Sequence, residues 1–360
     1  MTRIRAAVCH EFGKPLTIEE VELRAPASGE VEVDIAACAV CFSDISFIDG
    51  GWGGTLPAVY GHEAAGKVTA VGDNVTGYAV GDTVLVTLIR SCGTCTTCSS
   101  GHPVNCETPY DRTKGPLKTA DGGVMEHGLA CGAFAEKAVV HTSQCAKIPS
   151  DMPMDAAALL SCGVITGVGA VVNTGGVRPG EVVTVIGAGG VGLNAIQGAR
   201  IAGASRIIAV DTAEAKRDAA LEFGATDFVL ATEEKPWSIA RKLVGRGSDA
   251  VFVTVGAIPA YDAANRYLAP RGRMVMVGMP HAGATSSYQP LVTAATSQGM
   301  KGSFMGDTVL ARDIRWMVEL YQQGRLKLDE LISGRWTLDQ INEAIADTRS
   351  GAARRNVIVF

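Results

Sequence analysis

Four of the ten cysteines, Cys92, Cys95, Cys98 and Cys106, follow the spacing C-x2-C-x2-C-x7-C. Four thiolates at that spacing close a tetrahedral Zn²⁺ shell with no position left for water, so a metal held there staples a loop and does no chemistry. Chemistry at a metal needs an open position. A second set of ligand-type side chains is dispersed along the chain: Cys41 in CFSD, His62 and Glu63 in YGHEAAG, and Cys162 in SCGVITG. A cysteine, a histidine and a second cysteine drawn together would form the three-ligand shell of a catalytic zinc. Spacing alone does not join them, and each taken singly is more often a buried thiol or a hydrogen-bonded histidine.

A third motif concerns a cofactor. Gly187-Ala188-Gly189-Gly190-Val191-Gly192 matches G-x-G-x-x-G, follows the apolar run VVTVI and opens a helical pattern, which is the context the motif requires. Asp211 ends RIIAVD, 19 residues beyond Gly192, where an acid meets the adenosine ribose hydroxyls. The glycines admit a pyrophosphate close to the backbone, and the helix N-terminus offers N–H donors and a positive dipole end. Asp211 would repel a 2′-phosphate and bond a free 2′-hydroxyl, so NAD is expected over NADP.

The elements that must position these residues fall into two textures. Short β-branched runs such as EVEVDIAA and GKVTAVG, broken by Gly61, Gly66, Gly72, Gly77 and Gly81, predict a β-rich domain from Arg5 to about Val86. Residues 91–132 read as a loop-rich lobe held by metal. From Val164 onward, apolar strands alternate with helical segments, the signature of βαβ units and a parallel sheet. Two amphipathic helices and the strand NVIVF close the chain. The α/β reading is therefore a β-rich domain from residues 1–163 and 304–360, with an inserted doubly wound domain over 164–303.

Composition narrows the partners. At 360 residues the chain is long enough for two domains, and 47% hydrophobic with 19% charged residues is a globular balance. A net charge of −5 provides no basic field for a phosphate backbone or an anionic bilayer, so neither nucleic acid nor membrane is expected as partner. The uncharged run Val182 to Ala199 has the length of a membrane span, but five glycines interrupt it. The charged N-terminal stretch shows no export signal, and ten cysteines then read as ligands or buried thiols of a cytoplasmic protein.

Together these residues resemble the zinc-dependent medium-chain dehydrogenase family, in particular its two-zinc alcohol dehydrogenases. The matching segments span the chain: Cys41-x-Ser43-Asp44, Gly61-His62-Glu63-Ala64-Ala65-Gly66, Val80-Gly81-Asp82, the four-cysteine lobe, Ser161-Cys162-Gly163-Val164 with Thr166-Gly167, the nucleotide motif, Asp211, Lys216, and Arg355 to Phe360. The resemblance implies a GroES-like catalytic domain beside a Rossmann domain. It also implies two Zn²⁺ per chain, with Cys41, His62 and Cys162 as ligands of the catalytic one. Asp44 would orient His62, Glu63 would stand behind the metal as charge balance or exchanging ligand, and Ser43 would carry the hydroxyl proton away. Thr166 and Val191 would line the nicotinamide, with Val255, Val277, Gly278 and Met279 also on the cofactor, Lys216 on the adenine ribose and Arg355 on the pyrophosphate. A small alcohol or aldehyde is the implied substrate, a zinc ion lowering the pKa of the bound hydroxyl, and a homodimer or homotetramer the implied assembly.

Two positions depart from the family pattern. Phe42 stands where relatives keep a basic residue on the pyrophosphate, which predicts weaker cofactor binding and more reliance on Arg355. Ser46 stands where several relatives end the proton relay in histidine. By register, Trp52, Leu88, Leu129 and Met279 face substrate, an apolar and partly aromatic lining suited to a medium-sized primary alcohol or aromatic aldehyde. The stretch Glu107 to Cys131, with Arg112, Lys114 and Lys118, has no clear counterpart. Competing readings are a dehydrogenase of thiol-adduct (S-hydroxymethyl) formaldehyde, whose charged recognition cluster is not evident, and a secondary-alcohol or polyol dehydrogenase, against which Cys162 rather than an acid speaks. A catalytically inactive dinucleotide-binding protein is disfavoured by the complete ligand set and Ser43. A zinc-ribbon nucleic-acid module conflicts with the acidic balance.

Overall fold

The computed structural model describes residues 1–360. The chain divides into two compact units, Met1–Cys162 with Val309–Gly324 and Leu328–Phe360, and Gly163–Thr308 with Arg325–Lys327. The return to the first unit comes at Val309, later than the expected 304. Gly306 is the reason: a Cβ on Gly169 would lie 2.5 Å from its carbonyl oxygen. Asn173 Nδ2 also donates to Gly306 O at 3.1 Å, so this turn packs with the second unit.

The first unit is built on two sheets. In one, the strands run in the order Leu117–Lys118, Thr17–Leu23, Thr2–Cys9, Ala58–Val59 and Glu126–His127. The other has the order Cys145–Lys147, Thr83–Val86, Glu63–Val71, Glu30–Val40, Arg355–Val359 and Ile332–Trp336, with Lys137–His141 also paired to Glu30–Val40. Val31, Val33, Ile35, Tyr60, Met125 and Phe134 are among the side chains buried in their shared core.

Three neighbouring strands of the second sheet deliver the site. Glu30–Val40 pairs antiparallel with Glu63–Val71, placing Ala39 opposite Glu63. On its other side it pairs with Arg355–Val359, placing Val40 opposite Asn356. Cys41, His62, Glu63 and Arg355 therefore gather at one end of one sheet.

The second unit holds six parallel strands in the order Asp227–Leu230, Arg206–Asp211, Val182–Ile186, Ser248–Val253, Leu268–Met276 and Gly299–Gly302. Chain order reverses between Arg206–Asp211 and Ser248–Val253, on either side of Val182–Ile186, the switch point at which such sheets bind dinucleotides. Val182–Ile186 and its two neighbours, Arg206–Asp211 and Ser248–Val253, are nearly all buried, as a parallel sheet covered on both faces demands.

One apolar helix was not anticipated. Met154–Thr174 is 21 residues long and apolar enough to cross a membrane, yet 89% of its most apolar window is buried within the protein. Its uncharged stretch, 156–177, is longer than the Val182 run. The helix widens to π geometry at Leu160–Val164 and again at Ala170–Thr174, and such widenings recur at functional sites.

Candidate active site

Cys41 caps the helix Phe42–Ile48, and Asp44 in its first turn does three jobs. Asp44 Oδ2 accepts from Cys41 N at 3.2 Å, while Oδ1 accepts from Gly61 N at 3.0 Å and lies 2.9 Å from His62 Nδ1. Gly61 takes φ of +89°, and a Cβ there would lie 2.5 Å from Phe134 N, so only glycine permits the turn that aims His62. With Nδ1 donating to Asp44, the His62 Nε2 faces the other way, buried and without a hydrogen-bond partner.

What faces that nitrogen is a ligand set. One donor atom each from Cys41, His62, Glu63 and Cys162 lies within 4.8 Å of the others, all four residues buried. Cys162 arrives on the π-helical turn, tied to the sheet through Ser161 Oγ, which donates to Ala64 O at 3.0 Å. Arg355, also buried, donates to Glu63 Oε2.

The ionisable groups of the cluster act strongly on one another. A hydrogen bond from Cys162 holds the Cys41 thiol well below its usual range, against burial and with help from His62 and Arg355. The same shared bond, with burial, pushes Cys162 well above its range. Burial opposes charge on His62, but Asp44 and Cys41 carry its pKa well upward. Burial pushes Glu63 up to about 8 against the pull of Arg355. An unpaired buried nitrogen amid two thiols and a carboxyl fits Zn²⁺ through Cys41, His62 and Cys162, with Glu63 behind.

The four-cysteine lobe holds the other set. The Sγ atoms of Cys92, Cys95, Cys98 and Cys106 lie within 4.8 Å of one another, and none of the ten cysteines is in a disulfide. Backbone N–H groups turn toward sulfur: Cys95 N lies 3.2 Å from Cys92 Sγ, Cys92 N 3.3 Å from Cys106 Sγ and Glu107 N 3.4 Å from Cys95 Sγ. Bonds from Thr108 and from backbone N–H groups bring Cys92 down to about 5. Donors arranged around sulfur favour thiolates, the form that binds zinc.

In the second unit the three motif glycines act differently. Gly187 has φ of +100°, and a Cβ there would lie 2.4 Å from Val255 Cγ1. Gly189 caps the helix Gly190–Ile201 with open space around it, and a Cβ on Gly192 would lie 1.7 Å from Gly187 O. Asp211 is buried at its strand end, accepting from Ala188 N at 2.7 Å and Ala213 N at 3.0 Å, with Lys216 Nζ at 3.4 Å. A Cβ on Gly278 would lie 2.3 Å from the Val255 carbonyl carbon, so Val255 and Gly278 are in contact beside Gly187. Thr166 Oγ1 lies 3.7 Å from Met305 Sδ, and a Cβ on Gly167 would meet Val191 O at 2.5 Å.

Residues 27–150 match the alcohol dehydrogenase GroES-like domain, and residues 190–323 match the zinc-binding dehydrogenase domain. The NDMA-dependent alcohol dehydrogenase of Amycolatopsis methanolica is 35% identical, over 99% of each chain. The chain belongs to the zinc-dependent medium-chain dehydrogenases. Another member, the S-(hydroxymethyl)glutathione dehydrogenase of Saccharomyces cerevisiae, is 36% identical over 98% of this chain and 95% of its own. The crystal structure of benzyl alcohol dehydrogenase from Acinetobacter calcoaceticus superposes with a TM-score of 0.94 at 30% identity, over all of both chains. This dehydrogenase is therefore an alcohol-oxidising enzyme with a GroES-like and a Rossmann-type domain.

The remaining expected residues of the dehydrogenase fall as follows. Ser43 sits beside the ligand cluster, its Oγ 3.6 Å from Cys41 Sγ. Trp52 and Leu88 are half-buried, Trp52 with its ring edge-on to Phe47 at 5.3 Å. Leu129, half-buried, has φ of +53° in a tight turn. Met279 is 54% exposed in the other unit, as Val277 is buried. Phe42 is 57% exposed. Arg355, which the resemblance sets on the pyrophosphate, is engaged with Glu63 at the ligand cluster. Sequence reasoning gave Arg112 no role and missed Glu126 and Tyr60; Arg112 and Tyr60 flank the Phe47 ring, Arg112 also reaches Glu126, and nothing in their spacing links them.

Proposed function

We propose that this dehydrogenase interconverts a primary alcohol, medium-chain or aromatic, with its aldehyde, using NAD as hydride carrier. The observation that carries the reading is the buried, unpaired His62 Nε2 facing Cys41 and Cys162. Zinc held by Cys41, His62 and Cys162 would supply Lewis acidity, and NAD bound at the Gly187–Gly192 turn would supply the hydride acceptor. The chain's own residues do the rest. Asp44 fixes the His62 ring, Glu63 and Arg355 balance charge behind the ligands, and Ser43 takes the hydroxyl proton at Oγ. NAD is favoured by the buried Asp211 carboxylate at its strand end. Trp52, Leu88 and Leu129 of the first unit supply apolar lining, in keeping with the benzyl alcohol named for one structural relative. A homo-oligomer joined through the second unit is supported by the edge strand Gly299–Gly302, exposed along its length, with Leu291 82% and Met300 39% exposed nearby. Ten cysteines outside any disulfide suit a cytoplasmic enzyme.

The test is the initial rate of reduced-cofactor formation on zinc-replete protein, with NAD and NADP offered separately against primary, secondary, aromatic and thiol-adduct alcohols. Turnover with NAD and with primary or aromatic alcohols is expected. Preference for the thiol adduct or for NADP would overturn the substrate or cofactor assignment.

A further inference from the structure

The segment between the four-cysteine lobe and Cys131 carries an ion pair that serves neither metal. Glu126 is 2% exposed, and Arg112 reaches it with a guanidinium nitrogen 3.1 Å from Oε1, a contact of charge rather than an aligned hydrogen bond. The other oxygen, Oε2, accepts from the backbone N–H of Thr55 at 2.5 Å. Thr55 lies in the loop Asp49–Pro57 that carries Trp52. The strand of Glu126 holds the same loop from its far end, Glu126 N donating to Pro57 O at 2.8 Å. Arg112 also stacks over the Phe47 ring at 5.4 Å, and Phe47 meets Trp52 edge-on at 5.3 Å and Tyr60 in a stack at 5.9 Å. Gly54 of this loop lies against both: a Cβ there would be 3.6 Å from Tyr60 Oη and from Glu126 Oε2.

A buried carboxylate is costly unless paired, and here its partners are a half-buried cation and one backbone N–H. Both partners bear on one loop: the N–H belongs to it, and the cation lies on the ring against which Trp52 rests. We infer that the Arg112–Glu126 pair is a positioning device that holds Trp52, and so sets the preference of the enzyme for aromatic over short aliphatic alcohols. This rests on the reading that Trp52 faces the substrate.

The test uses the full-length, zinc-replete enzyme with Arg112→Met, Glu126→Gln, the double variant, Arg112→Lys and Trp52→Ala, assayed with benzyl alcohol and with butanol. Arg112→Met and Glu126→Gln should each raise KM for benzyl alcohol by about tenfold, the scale of one apolar pocket contact, with kcat within about twofold. Butanol should be little affected. The double variant should be no worse than the poorer single, because the two residues act as one unit, and Arg112→Lys should recover most of the loss. Acrylamide quenching of the Trp52 fluorescence, taken as the difference from Trp52→Ala, should rise in Arg112→Met with or without turnover. Arg112 is about a third exposed, so its variants carry the test should Glu126→Gln not fold. An equal fall for both alcohols, or unchanged KM and quenching, overturns the positioning role. If Trp52→Ala itself leaves selectivity untouched, the assignment of Trp52 to the substrate fails, and this inference with it.

Discussion

Asp44 shows how much one side chain at the ligand cluster controls. Its carboxylate bonds the Cys41 backbone, the Gly61 backbone and His62 Nδ1, fixing two ligands together. Groups that orient metal-binding histidines typically contribute 10–100-fold in metal affinity, so Asp44→Asn should lower affinity for the zinc proposed at Cys41, His62 and Cys162 by about that factor. Competition with a chelator, read by metal content, should show one zinc leaving early and the four-cysteine zinc retained; equal retention of both would contradict this. Phe42 makes the opposite case, an exposed ring at the position where the family resemblance implies a cation on the cofactor phosphate. Phe42→Arg should tighten NADH binding by about tenfold, as a charged hydrogen bond worth about 1.5 kcal/mol would, and the gain should shrink at high salt. Calorimetry at two ionic strengths would reveal it. Arg355→Ala belongs to a different class. It strands Glu63 in the interior and should cost about 3–5 kcal/mol of stability, measured by denaturant unfolding, beyond any effect on cofactor.

Within the elements, the strand Glu126–His127 carries a buried histidine whose partners are Tyr110 Oη at 3.0 Å and Cys131 O at 2.7 Å. Burial pulls the His127 pKa down from 6.5 to about 4. Between those values the unfolded chain binds a proton that the folded chain refuses. The contribution of His127 to stability is therefore complete above pH 6.5 and is lost as pH falls toward 4, a change of about 3 kcal/mol. Urea midpoints measured across that window should slope steeply for the native chain and less so for His127→Phe. Parallel slopes would show that other groups govern acid unfolding. The same segment supplies Glu126 to the Trp52 loop, so its order and the placement of that loop are coupled through adjacent residues of one short strand.

At the scale of the whole molecule, the exposed edge strand Gly299–Gly302 leaves backbone donors and acceptors open, with Met300 and Leu291 beside them. A charge is the ordinary guard of such an edge. Met300→Lys should dissociate the proposed oligomer to monomers while leaving metal content unchanged, as read by light scattering and metal analysis. A monomeric native chain would remove that part of the proposal. The two-unit division also explains why the chain ends matter to the chemistry: the last strand, Arg355–Val359, completes the sheet that presents Cys41 and Glu63.

The sequence by itself determined whatever is encoded at short range. The four cysteines lie within 15 residues, the glycine motif sits between its own strand and helix, and Asp211 ends the next strand, so spacing identified each without reference to the rest of the chain. Cys41, His62 and Cys162 could be joined only through resemblance, because 121 residues separate the outer two. Strand pairing and the π turn of Met154–Thr174 decide that they meet. Only the tertiary structure decided that Arg355 spends its charge on Glu63, and that Arg112 and Glu126 hold the Trp52 loop. The physical reason is the same in each case: a charge or an aromatic ring at one position specifies what partner it needs, while the distant strand that brings the partner is selected by burial and register across the whole sheet.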